Sequence, residues 1–205
     1  MPPMLRFATI AAAIAVLPPV PVAAGGIVSS AYSSTADKDC RKLSGFRLDG
    51  DDYASEYLCR GHAGLMVLKQ EDDMRVNISV GRTAKAAAGE PAASQGFGPF
   101  NSTTGTVEWR LADGKPFALI QRWHIADNED PDKGGRPQTK QMLVVTRLPP
   151  GAVCHVAYVD VKANPDANEI ARKAADENAR GFDCSTNRVE VVGVRGRTAD
   201  FIPAR

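Results

Sequence analysis

The chain has 205 residues with 25 basic and 24 acidic side chains, so its formal net charge is +1 at pH 7. Because the two signs are mixed along the chain, the sequence offers no long-range electrostatic reason to bind nucleic acid or an anionic membrane surface. Aromatic residues make up 6% of the chain, too few for a platform that stacks bases or sugars.

Residues 1–24 have the pattern of a secretory signal peptide. Arg6 supplies the positive charge, Phe7–Leu17 is an apolar run, and Val22-Ala23-Ala24 places small residues where a signal peptidase cleaves. We expect cleavage after Ala24 and a periplasmic or secreted protein. The alternative is a membrane anchor, but a span needs about 20 apolar residues, and Pro18 ends this run at about half that length. No later run is long enough, so no integral membrane anchor is expected after cleavage.

Residues 25–39 are mostly small and polar and are predicted to form a flexible lead-in to a single domain over residues 40–194. Two short segments, Tyr53–Cys59 and Leu65–Leu68, have strand-like apolar spacing. Met74–Val80 alternates apolar with polar residues, as a half-buried strand does. The domain is therefore expected to begin with short strands.

Residues 82–105 are rich in alanine, glycine and proline and show no period, which predicts a long loop with at most one short helical turn. Phe97 and Phe100 stand out in this loop as binding candidates, because apolar side chains in a mobile loop can contact a ligand or a partner. The alternative is that both side chains pin the loop to the core. The glycines beside them precede no Gly-Lys-Ser/Thr sequence, so this is not a phosphate-binding loop.

A β-hairpin is predicted over residues 106–125, with a two-residue turn at Asp113-Gly114. Pairing Ala112 with Lys115 sets a register that agrees with the apolar pattern. In that register the predicted core face pairs Val107, Trp109 and Leu111 with Ile120, Ala118 and Pro116. The opposite face is expected to mix Glu108 and Arg110 with Phe117 and Leu119.

Residues 126–138 are predicted to form a second loop, acidic at first and then rich in glycine. His124 precedes it, so its imidazole beside Asp127, Glu129 or Asp130 is a candidate metal ligand, base or binding residue. The alternative is a solvated loop. The loop could supply oxygen ligands for calcium, but it lacks EF-hand spacing, since the twelfth position from Asp130 is Gln141. We predict no metal and no cofactor.

Two buried strands are predicted at Met142–Leu148 and Cys154–Val161, followed by a helix. Asn164 is the expected cap of this helix, Pro165 its first residue and Gly181 the residue after its end. A stripe of small apolar residues would let the helix lie close on a sheet. Val189–Val194 is the last candidate strand, and residues 195–205 are predicted to form a loose tail.

Four cysteines behind an export signal predict disulfides. Three pairings are possible, and we favour the local one, Cys40 with Cys59 and Cys154 with Cys184. The strand from Cys154 and the helix that follows it each span about 23–24 Å, so the chain returns Cys184 beside Cys154. No C-x-x-C-like pair occurs, which argues against a metal site, and an even count leaves no free thiol for catalysis.

These features predict an α+β fold, a twisted and mainly antiparallel sheet with one C-terminal helix packed on it. No nucleophile-elbow, zinc-protease or S-x-x-K motif occurs, so no catalytic residue is nominated. We expect a non-enzymatic binding protein whose partner is an envelope protein or a small ligand. The alternatives are a periplasmic hydrolase, a hydrolase inhibitor that presents the segment from Phe97 to Phe100, or a structural component of the envelope.

Several segments carry a resemblance, namely Gly98-Pro99-Phe100-Asn101, Val107-Glu108-Trp109-Arg110, Leu143-Val144-Val145-Thr146 and the stretch from Cys154 to Cys184. On these segments the chain resembles a group of uncharacterised exported proteins of rhizobia-like alphaproteobacteria. The resemblance covers most of residues 40–184 and implies a periplasmic setting. It implies no activity and no site residues.

Overall fold

The structure is a computed structural model that describes residues 26–43 and 54–203. The predicted signal peptide lies outside the described residues. The strands, in chain order, are β1 (Val28–Ser34), β2 (Cys40–Leu43), β3 (Ser55–Arg60), β4 (Met66–Asp72), β5 (Arg75–Gly81), β6 (Asn101–Ala112), β7 (Lys115–Pro131), β8 (Pro137–Arg147), β9 (His155–Asp160) and β10 (Glu190–Val191).

These strands form two sheets rather than one. The larger has six strands in the order β1-β6-β7-β8-β9-β10, and the smaller has four in the order β2-β3-β4-β5. Every neighbouring pair is antiparallel except β9 and β10, which run parallel. The strands of the smaller sheet are joined in sequence order, as short local hairpins should be.

The main core lies between the two sheets. The smaller sheet contributes Cys59, Val67 and Ile78, and the larger sheet contributes Trp109 and Trp123, all five almost fully buried. Stacking in this way removes the apolar face of each sheet from water, which is the dominant favourable term in folding.

Helix α2 (Ala167–Asn178) covers the other face of the larger sheet, and all its buried residues are alanines. Because alanine side chains are small, the helix axis can approach the sheet closely. A short helix, α1 (Ala84–Ala88), packs Ala87 against Leu58 and Leu68 on the outer face of the smaller sheet. The predicted α+β class, with mainly antiparallel strands and one C-terminal helix, is confirmed. None of the helices in the described ranges is long and apolar enough to cross a bilayer.

Helix α2 begins later than predicted. Its N-cap is Asp166, and Asn164 serves a different purpose. The Asn164 amide donates to the carbonyl oxygens of Asp160 and Val194 and accepts from the Val194 N–H, all within 2.8–2.9 Å. Asn164 therefore ties the end of β9 to the segment that follows β10.

The β6–β7 hairpin has the predicted turn, with Asp113 and Gly114 both at positive φ. The predicted register holds for Ala112–Lys115 and Leu111–Pro116, but a bulge then shifts the strands by one residue, so Trp109 lies opposite Leu119 rather than Ala118. The bulge sends Phe117 to the helix side and Leu119 to the core between the sheets. The register prediction was wrong beyond the turn because both faces of this sheet are buried, so apolar alternation does not fix it.

Four segments expected to be irregular are more ordered than the sequence indicated. In the lead-in, β1 pairs with β6 along its whole length, and Trp109 Nε1 donates to Ser33 Oγ at 2.9 Å. The loop at residues 126–138 is mostly strand, since β7 and β8 extend into it. The loop at residues 82–105 contains α1, a 3₁₀ turn and the start of β6, and the tail forms a 3₁₀ helix at Arg197–Phe201.

Candidate functional site

The structure separates the two phenylalanines proposed as binding residues. Phe97 is buried and contacts Trp123 and Tyr158 edge-on, with ring centroids 5.8 Å apart in both pairs, so it is part of the core. Phe100 is 42% exposed. The Asn101 amide donates to the carbonyl oxygens of Phe97 and Pro99, at 3.3 and 2.9 Å, and holds the segment against the domain.

His124 lies on β7, half-buried and opposite Gln141 of β8. Burial, with a smaller effect from the Arg122 guanidinium, lowers the pKa of His124 and so favours the neutral imidazole. Among the described residues no cluster of three metal-ligating side chains forms. The structure therefore does not bring His124 together with the acidic residues as a metal site.

Both predicted disulfides are present. Cys40 and Cys59 face each other directly across β2 and β3, with Cα atoms 4.3 Å apart, and Cys154 and Cys184 join at a Cα separation of 5.9 Å. No cysteine within the described ranges is free. The helix does return Cys184 to the start of β9, as the element lengths predicted.

A groove of about 630 Å³ opens at the end of the molecule where the β6–β7 hairpin turns. We call it the basic groove. It lies among the β3–β4 turn, the residue after β5, the hairpin tip, the β8–β9 turn and the end of the α2 region. Its apolar lining is Ala63, Leu65, Ala112, Pro116, Phe117, Leu148, Pro149 and Pro150, and its cations are Arg82, Lys115, Arg147 and Arg180.

None of these four cations forms an ion pair with a described residue, and the described residues that line the groove include no carboxylate. Arg147 is fixed by donating to the carbonyl oxygens of Ala179, Ala152 and Pro150. The Arg180 guanidinium lies 5.0 Å from the Phe117 ring centroid, in a cation–π contact. Arg82 and Lys115 are exposed and form no hydrogen bond to a described residue through their side chains.

Elsewhere in the described ranges some cations form ion pairs, while others, such as Lys133 and Lys162, form none. Arg110 pairs with Asp176 at 2.6 Å, Arg172 with Glu108 at 2.7 Å, and Lys69 with Asp37. Four positive charges without an ion-pair partner among the described residues, placed around an apolar floor, repel one another and attract an anion from solution.

A second cavity, of about 640 Å³, lies at the other end of the larger sheet. Most of its charges are compensated, because Arg197 binds Asp127 and Glu129 while Lys140 binds Asp130; Lys162 is the lining cation that forms no ion pair with a described residue. Asp127, one of the acids placed near His124 from the sequence, is buried by this pairing. The ion pairs that line the second cavity therefore hold the C-terminal 3₁₀ helix against the sheet.

Chemically, the basic groove is suited to holding a ligand. Its described lining residues include no hydroxyl, thiol, imidazole or carboxylate that could act as nucleophile or base. The groove could not be predicted from the sequence, because its residues come from five separate turns and element ends. None of these segments has a binding pattern of its own. The one available signal was a basic residue beside each of several turns, at Arg82, Lys115, Arg147 and Arg180.

The fold and the groove define a disulfide-linked α+β protein built on two stacked sheets. A scan against protein-family models and searches of curated proteins and of solved structures find no match to the chain.

Proposed function

We propose that the protein is an exported, non-enzymatic binding protein whose ligand is a small anion with an apolar body, held in the basic groove. The observation that carries this proposal is the set of four cations, without a carboxylate among the described lining residues, around an apolar floor. Export is supported by the signal-like pattern of residues 1–24, by the two disulfides and by the resemblance to exported proteins.

The groove supplies two complementary sources of affinity. Its volume falls within the range of about 300–1,000 Å³ typical of small-molecule sites, and burying apolar ligand surface there contributes about 25 cal/mol per Å². An acid group would receive charge-assisted hydrogen bonds from Arg82 and Lys115, whose donors are uncommitted among the described residues. An uncharged ligand of the same size gains only the contribution from burying apolar surface.

The two rival functions have less support. Most hydrolases use a hydroxyl, thiol, imidazole or carboxylate as nucleophile or base, and the described groove lining includes none of these groups. The inhibitor hypothesis needs a protruding segment with both phenylalanines available, whereas Phe97 is buried.

The test is a matched pair of probes of equal chain length, decanoate and decanol, titrated calorimetrically into the exported protein. We expect decanoate to bind more tightly. The double variant Arg82→Gln/Lys115→Gln should weaken decanoate binding by about tenfold or more while leaving decanol unchanged, because it removes charge but not apolar surface.

The matched control is Lys133→Gln, which removes an exposed cation at the far β7–β8 turn. It should leave both affinities unchanged. Failure of both probes to bind would contradict the groove as a ligand site. Equal affinity for the two probes would contradict the anionic class of the ligand.

A further inference from the structure

The outer edge of β1 is a sheet edge with no paired strand among the described residues. β1 is the first strand of the larger sheet, and no described strand pairs with its outer side. Residues 26–36 contain no charged residue and no proline, and β1 pairs with β6 over seven residues without a bulge. Natural proteins usually protect an exposed edge strand with a charge, a proline, a bulge or a cover, since its open backbone groups can bind another strand.

The other sheet edges in the described ranges have such protection. β2 is four residues long and includes Arg41 and Lys42, and β10 has two residues. The free edge of β5 is covered, because the Asn101 side chain accepts from the Val76 N–H at 3.0 Å and the Asn101 N–H donates to the Met74 carbonyl. β1 is therefore the exception among the four edges.

The inner hydrogen bonds fix which backbone groups of β1 point outward. The Thr35 N–H donates to the Gly105 carbonyl at 2.9 Å, and the Ile27 carbonyl accepts from the Asp113 N–H at 3.0 Å. Along a strand, the backbone N–H and C=O groups of successive residues point alternately to one side and the other. The odd-numbered residues therefore form hydrogen bonds to β6. The N–H and C=O groups of Val28, Ser30, Tyr32 and Ser34 consequently face the open side.

We propose that β1 pairs with β1 of a second copy of this chain, antiparallel and about a two-fold axis at Ala31. This register overlaps all seven residues and keeps each side chain on its own face of the sheet. It joins Val28 to Ser34 and Ser30 to Tyr32 through outward backbone groups, while Ala31 meets Ala31 as a pair without hydrogen bonds.

Charge and side-chain size favour a second copy in that position. β1 is uncharged and the whole chain carries +1, so neither the strands nor the copies repel strongly. Tyr32, 60% exposed, lies opposite the small Ser30 of the partner copy. Two six-stranded sheets thereby become one continuous sheet, as two-fold homodimers with self-complementary edges do.

The interface is small, so the association should be weak and depend on concentration. Sedimentation of the exported protein from about 10 µM to about 1 mM should show conversion from monomer to dimer. Tyr32→Pro removes an outward N–H and leaves the bonds to β6, and it should weaken dimerisation by about 10- to 100-fold. Tyr32→Ala is the matched control, because it keeps that N–H, and it should dimerise nearly as well as the parent.

Hydrogen exchange tests the same proposal without a substitution. The outward amides of Ser30, Tyr32 and Ser34 should exchange more slowly as concentration rises, whereas the inward amides of Ala31 and Ser33 should not respond. A chain that stays monomeric throughout, or outward amides whose exchange is independent of concentration, would overturn the proposal. Neither result would bear on ligand binding in the basic groove.

Discussion

At the scale of single residues, buried Asp160 anchors the C-terminal segment. Burial on its own raises the pKa of this carboxyl group, but hydrogen bonds from the Thr198 hydroxyl and from the N–H groups of Ala163 and Thr198 outweigh it and lower the pKa. The residue is only 2% exposed, so each of these donors compensates a charge that water does not reach. Thr198 and Asp160 therefore hold the tail, which the sequence suggested was loose.

The variant Thr198→Val keeps the side-chain shape and removes the hydroxyl donor. We expect it to lower the free energy of unfolding at pH 7 by about 1.5–3 kcal/mol, the usual contribution of a hydrogen bond to a charged group. Urea unfolding measures the loss. Thr139→Val, an exposed position on β8, is the control and should change stability by less than about 0.5 kcal/mol.

The same variant has a predictable pH dependence. Because the folded state lowers the pKa of Asp160, its stabilisation is complete above the unfolded pKa and is lost as the pH falls through the folded pKa. The cost of Thr198→Val should therefore shrink when unfolding is repeated at about pH 2, where the carboxyl is protonated in the unfolded chain. An equal cost at both pH values would show that the hydroxyl stabilises the fold independently of the charge.

At the scale of elements, features set by the length of one segment could be predicted from the sequence. Features set by how sheets and helix stack on one another could not. Strand β9 and helix α2 have matching lengths, and this alone placed Cys184 beside Cys154. The bulge at Phe117 was invisible, because a strand buried by a helix on one side and a sheet on the other shows no clear alternation. β1 was missed because its serines and alanine lack an apolar period, although they fit against Trp109.

Each disulfide should stabilise the fold by closing a loop in the unfolded chain. The sequence separations are 19 and 30 residues, for which the chain-entropy relation gives about 3–4 kcal/mol each. The double variant Cys154→Ala/Cys184→Ala should lose about this amount in urea unfolding. Cys40→Ala/Cys59→Ala is the matched comparison, and the four-fold variant should lose the sum if the two bonds act independently. A loss much larger than the sum would show that the two disulfides are energetically coupled, each partly compensating for the removal of the other.

At the scale of the whole molecule, the fold class could be predicted but the layering and the groove could not. Strand patterns, the helix stripe and cysteine spacing indicated α+β, since each is encoded within a few tens of residues. Nothing local showed that the strands divide between two stacked sheets, because that choice depends on pairings between distant segments such as β1 and β6. The basic groove exists only where turns of both sheets meet.

Export is a property of the whole chain and can be tested directly. If residues 1–24 form a signal peptide, the protein recovered from the periplasm of a bacterial host should begin at Gly25 and contain no reactive thiol, with Cys40 linked to Cys59 and Cys154 to Cys184. Mass spectrometry of the intact chain and of its non-reduced peptides measures both features. Ala24→Leu should block cleavage, because a bulky residue then occupies the last position before the cut, whereas Ala23→Leu, one position earlier, should be processed normally. A reduced, unprocessed protein confined to the cytoplasm would contradict export, because the compartment that forms these two disulfides lies beyond the membrane.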